Sequence, residues 1–186
     1  MILSGLEIKK RRDKGDIVIA PFEDKCVGPN SYDVHLGDEL FVYDLQPGEI
    51  LDPERMPQIK PVPKISKESV CPGSGQTEQN CWLLEPGKLY LGSTREYTET
   101  RNLVPMIEGR SSIGRLGVFV HVTAGFGDVG FKGNWTLEIA VIHPIVMEVG
   151  TRIAQLFYHQ IEGEFQEYKG RYLGDRKPTP SRLKKS

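Results

Sequence analysis

The chain has 186 residues and a mass of 20.9 kDa, enough for one domain that buries roughly 70% of its unfolded surface without a metal or disulfide staple. With 26% charged and 38% hydrophobic residues, wholesale disorder is excluded. No apolar run approaches the roughly 20 residues of a membrane span, and no charged-then-apolar leader opens the chain, so a cytoplasmic protein without membrane contact is expected.

In chain order, Ser4-Gly5-Leu6-Glu7 has the form of a capping box. It predicts a short helix over about Leu6 to Arg12, with Gly15 as its stop. Short runs rich in β-branched and aromatic residues follow, separated by Gly, Pro, Asn and Asp. They are Ile17–Ala20, Tyr32–Leu36, Leu40–Tyr43, Leu89–Leu91, Val118–Val122, Trp135–Ile142 and Ile153–His159. With no long helical period, the architecture reads as mainly β: a sandwich, jelly roll or barrel.

Residues 57–82 differ in character. They hold Pro57, Pro61, Pro63, Pro72, Gly73 and Gly75, and read as a surface insertion. Two of the three cysteines, Cys71 and Cys81, lie there, and Cys26 stands apart. An odd count in a cytosolic setting argues against a disulfide framework, and the spacing leaves no Cys-x-x-Cys metal hook.

Two later segments can carry chemistry. In Glu108-Gly109-Arg110-Ser111-Ser112-Ile113-Gly114-Arg115-Leu116-Gly117, arginine forks, serine hydroxyls and backbone N–H groups at a helical turn make a phosphate cradle. The plainer alternative is a surface turn with an arginine paired to Glu108. The second segment runs from Val122 to Glu138. Its first part is a glycine-rich loop carrying Asp128, and its second is a strand. Alternation puts Trp135, Leu137, Ile139 and Val141 on one face and Thr136, Glu138 and Ala140 on the other. Glu138 is either a solvent-facing residue or a buried carboxyl able to move protons near neutral pH. His35, His121, His143 and His159 are scattered and read as packing or surface residues. The formal net charge is -1, yet residues 169–186 carry Lys169, Arg171, Arg176, Lys177, Arg182, Lys184 and Lys185 against Asp175 alone. That basic tail suits a local anion or a solvated terminus, not a nucleic-acid surface.

Taken together, these segments resemble the dCTP deaminase family of the trimeric dUTPase superfamily. Four blocks match in order: Pro29-Asn30-Ser31-Tyr32-Asp33-Val34-His35-Leu36-Gly37, Glu108 to Gly117, His121 to Glu138, and Tyr172 to Arg182. The resemblance implies one dUTPase-like domain over residues 1–186, a distorted β-barrel or jelly roll. It implies a homotrimer with sites between subunits and a basic arm, residues 169–186, closing over the nucleotide. The implied activity is hydrolytic deamination of dCTP to dUTP without zinc, with Mg²⁺ carried by the triphosphate. Alternatives are a bifunctional enzyme that also cleaves dUTP to dUMP and pyrophosphate, and a silent nucleotide-binding regulator.

By the same resemblance, Glu138 is the proton-transfer group, with Ser111, Arg115 and the backbone at Ala124 as catalytic partners. Arg110, Ser111, Ser112, Ile113, Gly114 and Arg115 belong to the phosphate segment. Asp128 meets the sugar 3'-hydroxyl and Phe131 helps exclude ribonucleotides. Thr136, Leu137 and Gln155 contact base or sugar, and Tyr168, Arg171 and Asp175 contact the nucleotide from the arm. dTTP is an expected inhibitor. Three departures from the family pattern stand out. Arg171 replaces a usual Lys. Asp175 replaces a usual Gln, a poor neighbour for a triphosphate unless Mg²⁺ or Arg176 intervenes. Gly127 and Val129 replace an apolar residue and a Pro, which implies a looser loop.

Overall fold

A computed structural model describes residues 1–183. Lys184 and Lys185, two of the tail's cations, lie outside the described residues. Helix α1 spans Gly5–Asp13. Ser4 caps it by accepting the Glu7 N–H at 3.2 Å, while the Glu7 carboxylate turns to Arg11 at 3.0 Å instead of closing the capping box. Gly15, at φ 79°, ends the helix in a left-handed turn.

The strands are β1 (Ile17–Ala20), β2 (Tyr32–Tyr43), β3 (Ile59–Pro61), β4 (Ile65–Ser66), β5 (Gln79–Leu84), β6 (Tyr90–Thr94) and β7 (Tyr97–Thr100). After them come β8 (Leu103–Gly109), β9 (Val118–Val120), β10 (Lys132–Gly133), β11 (Thr136–Val141), β12 (Ile145–Glu148) and β13 (Arg152–Gln160). A four-residue helix, α2 (Ser111–Gly114), links β8 to β9. The largest sheet runs β8-β13-β2-β6-β11-β9, with β3 added to β2. Its end strands approach each other: a Cβ on Gly109 would lie 3.7 Å from Val120 Cβ. The sheet is thus curled toward closure, the distorted barrel expected of the sequence. Two three-stranded sheets, β1-β7-β10 and β12-β5-β4, flank it.

Two expected strands, 32–36 and 40–43, are halves of β2, joined across an irregularity in its pairing with β6 between Leu36 and Leu40. The segment read as a surface insertion is woven into the sheets. β3 pairs β2, β4 pairs β5, and Cys81 and Trp82 are fully buried. Its prolines interrupt pairing without preventing it, and its longest exposed stretch is residues 71–80. One buried cluster extends from Leu3 to Tyr158, with Trp82, Tyr32, Tyr90 and Tyr158 its largest fully buried members. Full burial of such a side chain contributes about 1.5–3 kcal/mol. Among the described residues, no helix is long and apolar enough to cross a membrane.

Candidate active site

The alternation in β11 holds. Leu137 and Ile139 are fully buried, and Trp135 and Val141 nearly so. Thr136 and Glu138 point the other way, into a cavity of about 490 Å³. That volume suits a small-molecule ligand. Leu89, Leu91, Phe131 and Trp135 give it an apolar side. Asp128, Asn134, Thr136, Glu138 and Asp175 supply polar groups. Phe131 lies between Trp135 (centroids 4.7 Å apart) and Tyr168 (6.3 Å), and Trp135 is fixed by its indole N–H donating to Thr98 Oγ1 at 3.0 Å.

Glu138 is half-buried and has a neighbour that sequence reasoning set aside. His121 is 8% exposed, and its Nδ1 lies against Glu138 Oε2. The backbone fixes the pair, since the His121 N–H donates to Glu138 O at 2.8 Å. His121 has φ 55°, uncommon for a residue with a Cβ. The signal was its place at the end of β9 opposite Glu138, which single-residue spacing does not report.

The loop at residues 121–130 is pinned to β8. Ile107 N–H donates to Gly125 O at 2.8 Å and Gly127 N–H to Pro105 O at 2.9 Å, with Met106 and Phe126 paired between them. A Cβ on Gly127 would lie 2.5 Å from the Trp135 ring and 2.9 Å from Pro105. Val129 is 4% exposed. The looseness expected from Gly127 and Val129 is therefore not what the glycine provides: here it permits close packing.

The remaining expected residues fall in three places. Ala124, Asp128, Thr136, Glu138, Tyr168 and Asp175 share the cavity. Leu137 does not line it, because its side chain faces the core. Arg110, Ser111, Ser112, Ile113, Gly114 and Arg115 do not line the cavity of their own chain. Ser111, Ser112 and Arg115 are exposed, and Ile113 anchors α2 inward. Arg110 pairs with Asp33 at 3.1 Å, not with Glu108, and also donates to Arg152 O at 3.1 Å. Arg152 reaches the same Asp33 at 3.4 Å. Gln155 stands beside Asp33 in the β2–β13 register and accepts from Ser31 Oγ at 3.2 Å, again outside the cavity.

Residues 161–183 have no helix or strand, yet they lie over the cavity. Tyr168 N–H donates to Val129 O (2.7 Å), Asn134 N–H to Asp175 O (2.8 Å), Thr179 N–H to Thr136 Oγ1 (3.2 Å) and Ser181 N–H to Tyr43 Oη (3.1 Å). Arg171 lies outside the cavity lining and donates to Arg182 O at 2.8 Å. Of the two neutralisers named for Asp175, Mg²⁺ and Arg176, Arg176 stacks instead on Tyr97 at 3.7 Å, and Arg182 pairs with Asp175 at 3.1 Å.

Among the described residues, one grouping has metal-ligand character: Glu23, Cys26 and His35, whose ligand atoms lie within 4.8 Å of one another. None lines the cavity. A cation already serves it, because Arg95 reaches both Glu23 and His35. Hydrogen bonds from Lys25 and Arg95 hold the Glu23 carboxyl down at about 2. Burial pushes the Cys26 thiol up.

A profile of the dCTP deaminase-like family matches residues 2–161. The chain belongs to the dCTP deaminase-like family. Similar relatives cover its whole length. A "dCTP deaminase, dUMP-forming" of Leptospira biflexa is 51% identical over 186 residues and 97% of its own length. One of Cytophaga hutchinsonii is 52% identical, covered to 98%. In fold, the chain is similar to the crystallised 2'-deoxycytidine 5'-triphosphate deaminase of Agrobacterium tumefaciens, with TM-score 0.58 and 20% identity over 84% of this chain. It spans about half of that protein, 47% of its length. For a dCTP deaminase-like chain, the cavity with Glu138 is the natural candidate for the reacting site.

Proposed function

We propose that the protein deaminates dCTP hydrolytically and then cleaves the resulting dUTP to dUMP and pyrophosphate. The observation that carries deamination is Glu138, a half-buried carboxyl on the cavity face of β11, backed by His121. The names of the full-length relatives favour dUMP as product over the reading in which dUTP is released.

Glu138 takes a proton from water as the water oxygen bonds to C4 of cytosine, and passes it to N3. It then moves the proton of the new hydroxyl to the amino nitrogen. The C4–N4 bond breaks, ammonia leaves and a uracil carbonyl remains. One carboxyl can make these transfers in turn, and such catalysis contributes about 10²–10⁴-fold. His121 orients the carboxylate. In the second step a water oxygen bonds to the α-phosphorus and the bond to the bridging oxygen of pyrophosphate breaks. Asp128, also on the cavity wall, is the group proposed to activate that water. Mg²⁺ enters with the triphosphate, and no zinc is required in this scheme.

Ser111 and Arg115 do not line the cavity beside Glu138 of the same chain. We propose that a second copy supplies Arg110–Arg115, in a homotrimer whose sites lie between subunits. The arm then contributes Tyr168 and Arg171, and sets Asp175 on the cavity wall. The deciding experiment incubates the protein with dCTP and Mg²⁺ and separates the products by anion exchange. dUMP with pyrophosphate is expected. Accumulating dUTP would return the simple deaminase. Retained dCTP binding without conversion would leave a silent binder. Adding dTTP to the same assay tests for inhibition.

A further inference from the structure

The arm is a loop tied to itself. Arg182 N–H donates to Tyr172 Oη at 3.0 Å, and the Arg182 guanidinium stands 5.4 Å from the Tyr172 ring centroid. Arg171 and Arg182 exchange bonds, each guanidinium donating to the other's carbonyl. Two other arm cations are turned away, Arg176 onto Tyr97 and Lys177 to Glu39 at 2.9 Å. This leaves Arg171 and Arg182 side by side just off the cavity lining, and Asp175, which is on that lining, is the carboxylate Arg182 reaches. Asp175 Oδ1 takes Arg182 at 3.1 Å, while its buried Oδ2 has no hydrogen-bond partner. A carboxylate on the wall of a pocket for a polyanion opposes its ligand unless something compensates.

We propose that Arg182 is a phosphate ligand of this site held in reserve by Asp175, which occupies on the guanidinium the place a nucleotide phosphate takes on binding. The inference rests on the reading above that the cavity takes a nucleoside triphosphate. Carboxylate and phosphate oxygens are interchangeable partners for a guanidinium fork, so the exchange costs Arg182 no bond. Arg182 does not depend on Asp175 for its position, because the Tyr172 hydroxyl, the Tyr172 ring and Arg171 also hold it. Neutralising Asp175 therefore unmasks a charge and leaves the arm in place.

The test compares KM for dCTP in Asp175→Asn, Arg182→Gln and the double variant. Asp175→Asn is expected to lower KM about fivefold and Arg182→Gln to raise it about tenfold, the range of one charge-assisted hydrogen bond. The double variant should match Arg182→Gln alone, because the mask then has nothing to cover. A raised KM in Asp175→Asn, or additive effects in the double variant, overturns the proposal. Inorganic tripolyphosphate, read by the shift in melting temperature, repeats the comparison without catalysis. The largest shift is expected for Asp175→Asn and the smallest for Arg182→Gln, and equal shifts overturn the proposal. If wild-type protein converts no dCTP but this order holds, the masking stands and the functional reading fails.

Discussion

Two pairs of arginines stand beside an aspartate, and they are built differently: Asp33 takes both Arg110 and Arg152, whereas Asp175 takes Arg182 alone. Arg110 and Arg152 meet Asp33 where β8, β13 and β2 lie side by side, so ladder hydrogen bonds fix the backbone beneath them. Arg171 and Arg182 meet near Asp175 on an arm without helix or strand, held by isolated bonds. The sheet-borne group lies off its own cavity's lining, whereas the arm group reaches that lining through Asp175. The difference separates two tasks. A group on a sheet keeps its geometry for whatever docks against it. A group on an arm can reorganise when a ligand arrives, because fewer bonds must break.

The largest effect tests which cavity the sheet-borne group serves. Glu138→Gln and Ser111→Ala are each expected to cut ammonia release from dCTP about 10²–10⁴-fold, with Glu138→Gln still binding dCTP. Co-expressing the two should restore about a quarter of the sites if each site draws on two copies. Mixed protein as inactive as its parents would mean that α2 serves no neighbouring cavity.

Gly127→Ala should cost about 1–3 kcal/mol in urea unfolding, because its Cβ meets the Trp135 ring and Pro105. An unchanged midpoint would mean that the wall yields more easily than its packing indicates. Asp33→Asn should cost about 1 kcal/mol after allowance for partial exposure, whereas Asp175→Asn should stay within about 0.5 kcal/mol. Equal losses of melting temperature would erase the distinction between sheet and arm.

The smallest effect concerns Glu23, whose carboxylate takes Lys25 and Arg95. The Glu23 carboxyl is held at about 2, below its ordinary 4.5. Its contribution is therefore present in full above about 4.5 and is lost as pH falls toward about 2. The stability difference between wild type and Glu23→Gln should shrink over that interval, and thermal melts across it would show this. A difference that does not change with pH would place the interaction elsewhere.

What the sequence disclosed follows physical locality. The Ser4 cap and the alternation of β11 are local signals, and both appear in the structure. β8 was missed because Pro105 interrupts its pattern, although proline is tolerated at a sheet edge, where β8 lies. β5 was missed because its burial comes from β4 and β12, distant in sequence. In the site, alternation gave the face of Glu138 but left open whether it met solvent or a cavity, and the resemblance alone proposed its role, while His121 was not legible from spacing. Its contact with Glu138 is made by the β9–β11 pairing and a left-handed turn. The tail's charge was visible at once, but no count of charges reveals that Arg182, not Arg176, answers Asp175.

The pinning of the 121–130 loop to β8 has one more consequence. The outer side of β8 would otherwise present unpaired backbone groups, a template on which strands of other molecules can assemble. Gly125, Phe126 and Gly127 occupy that side. The segment leading to Asp128 thus doubles as a guard against self-association, and substitutions that loosen it should reduce solubility along with activity.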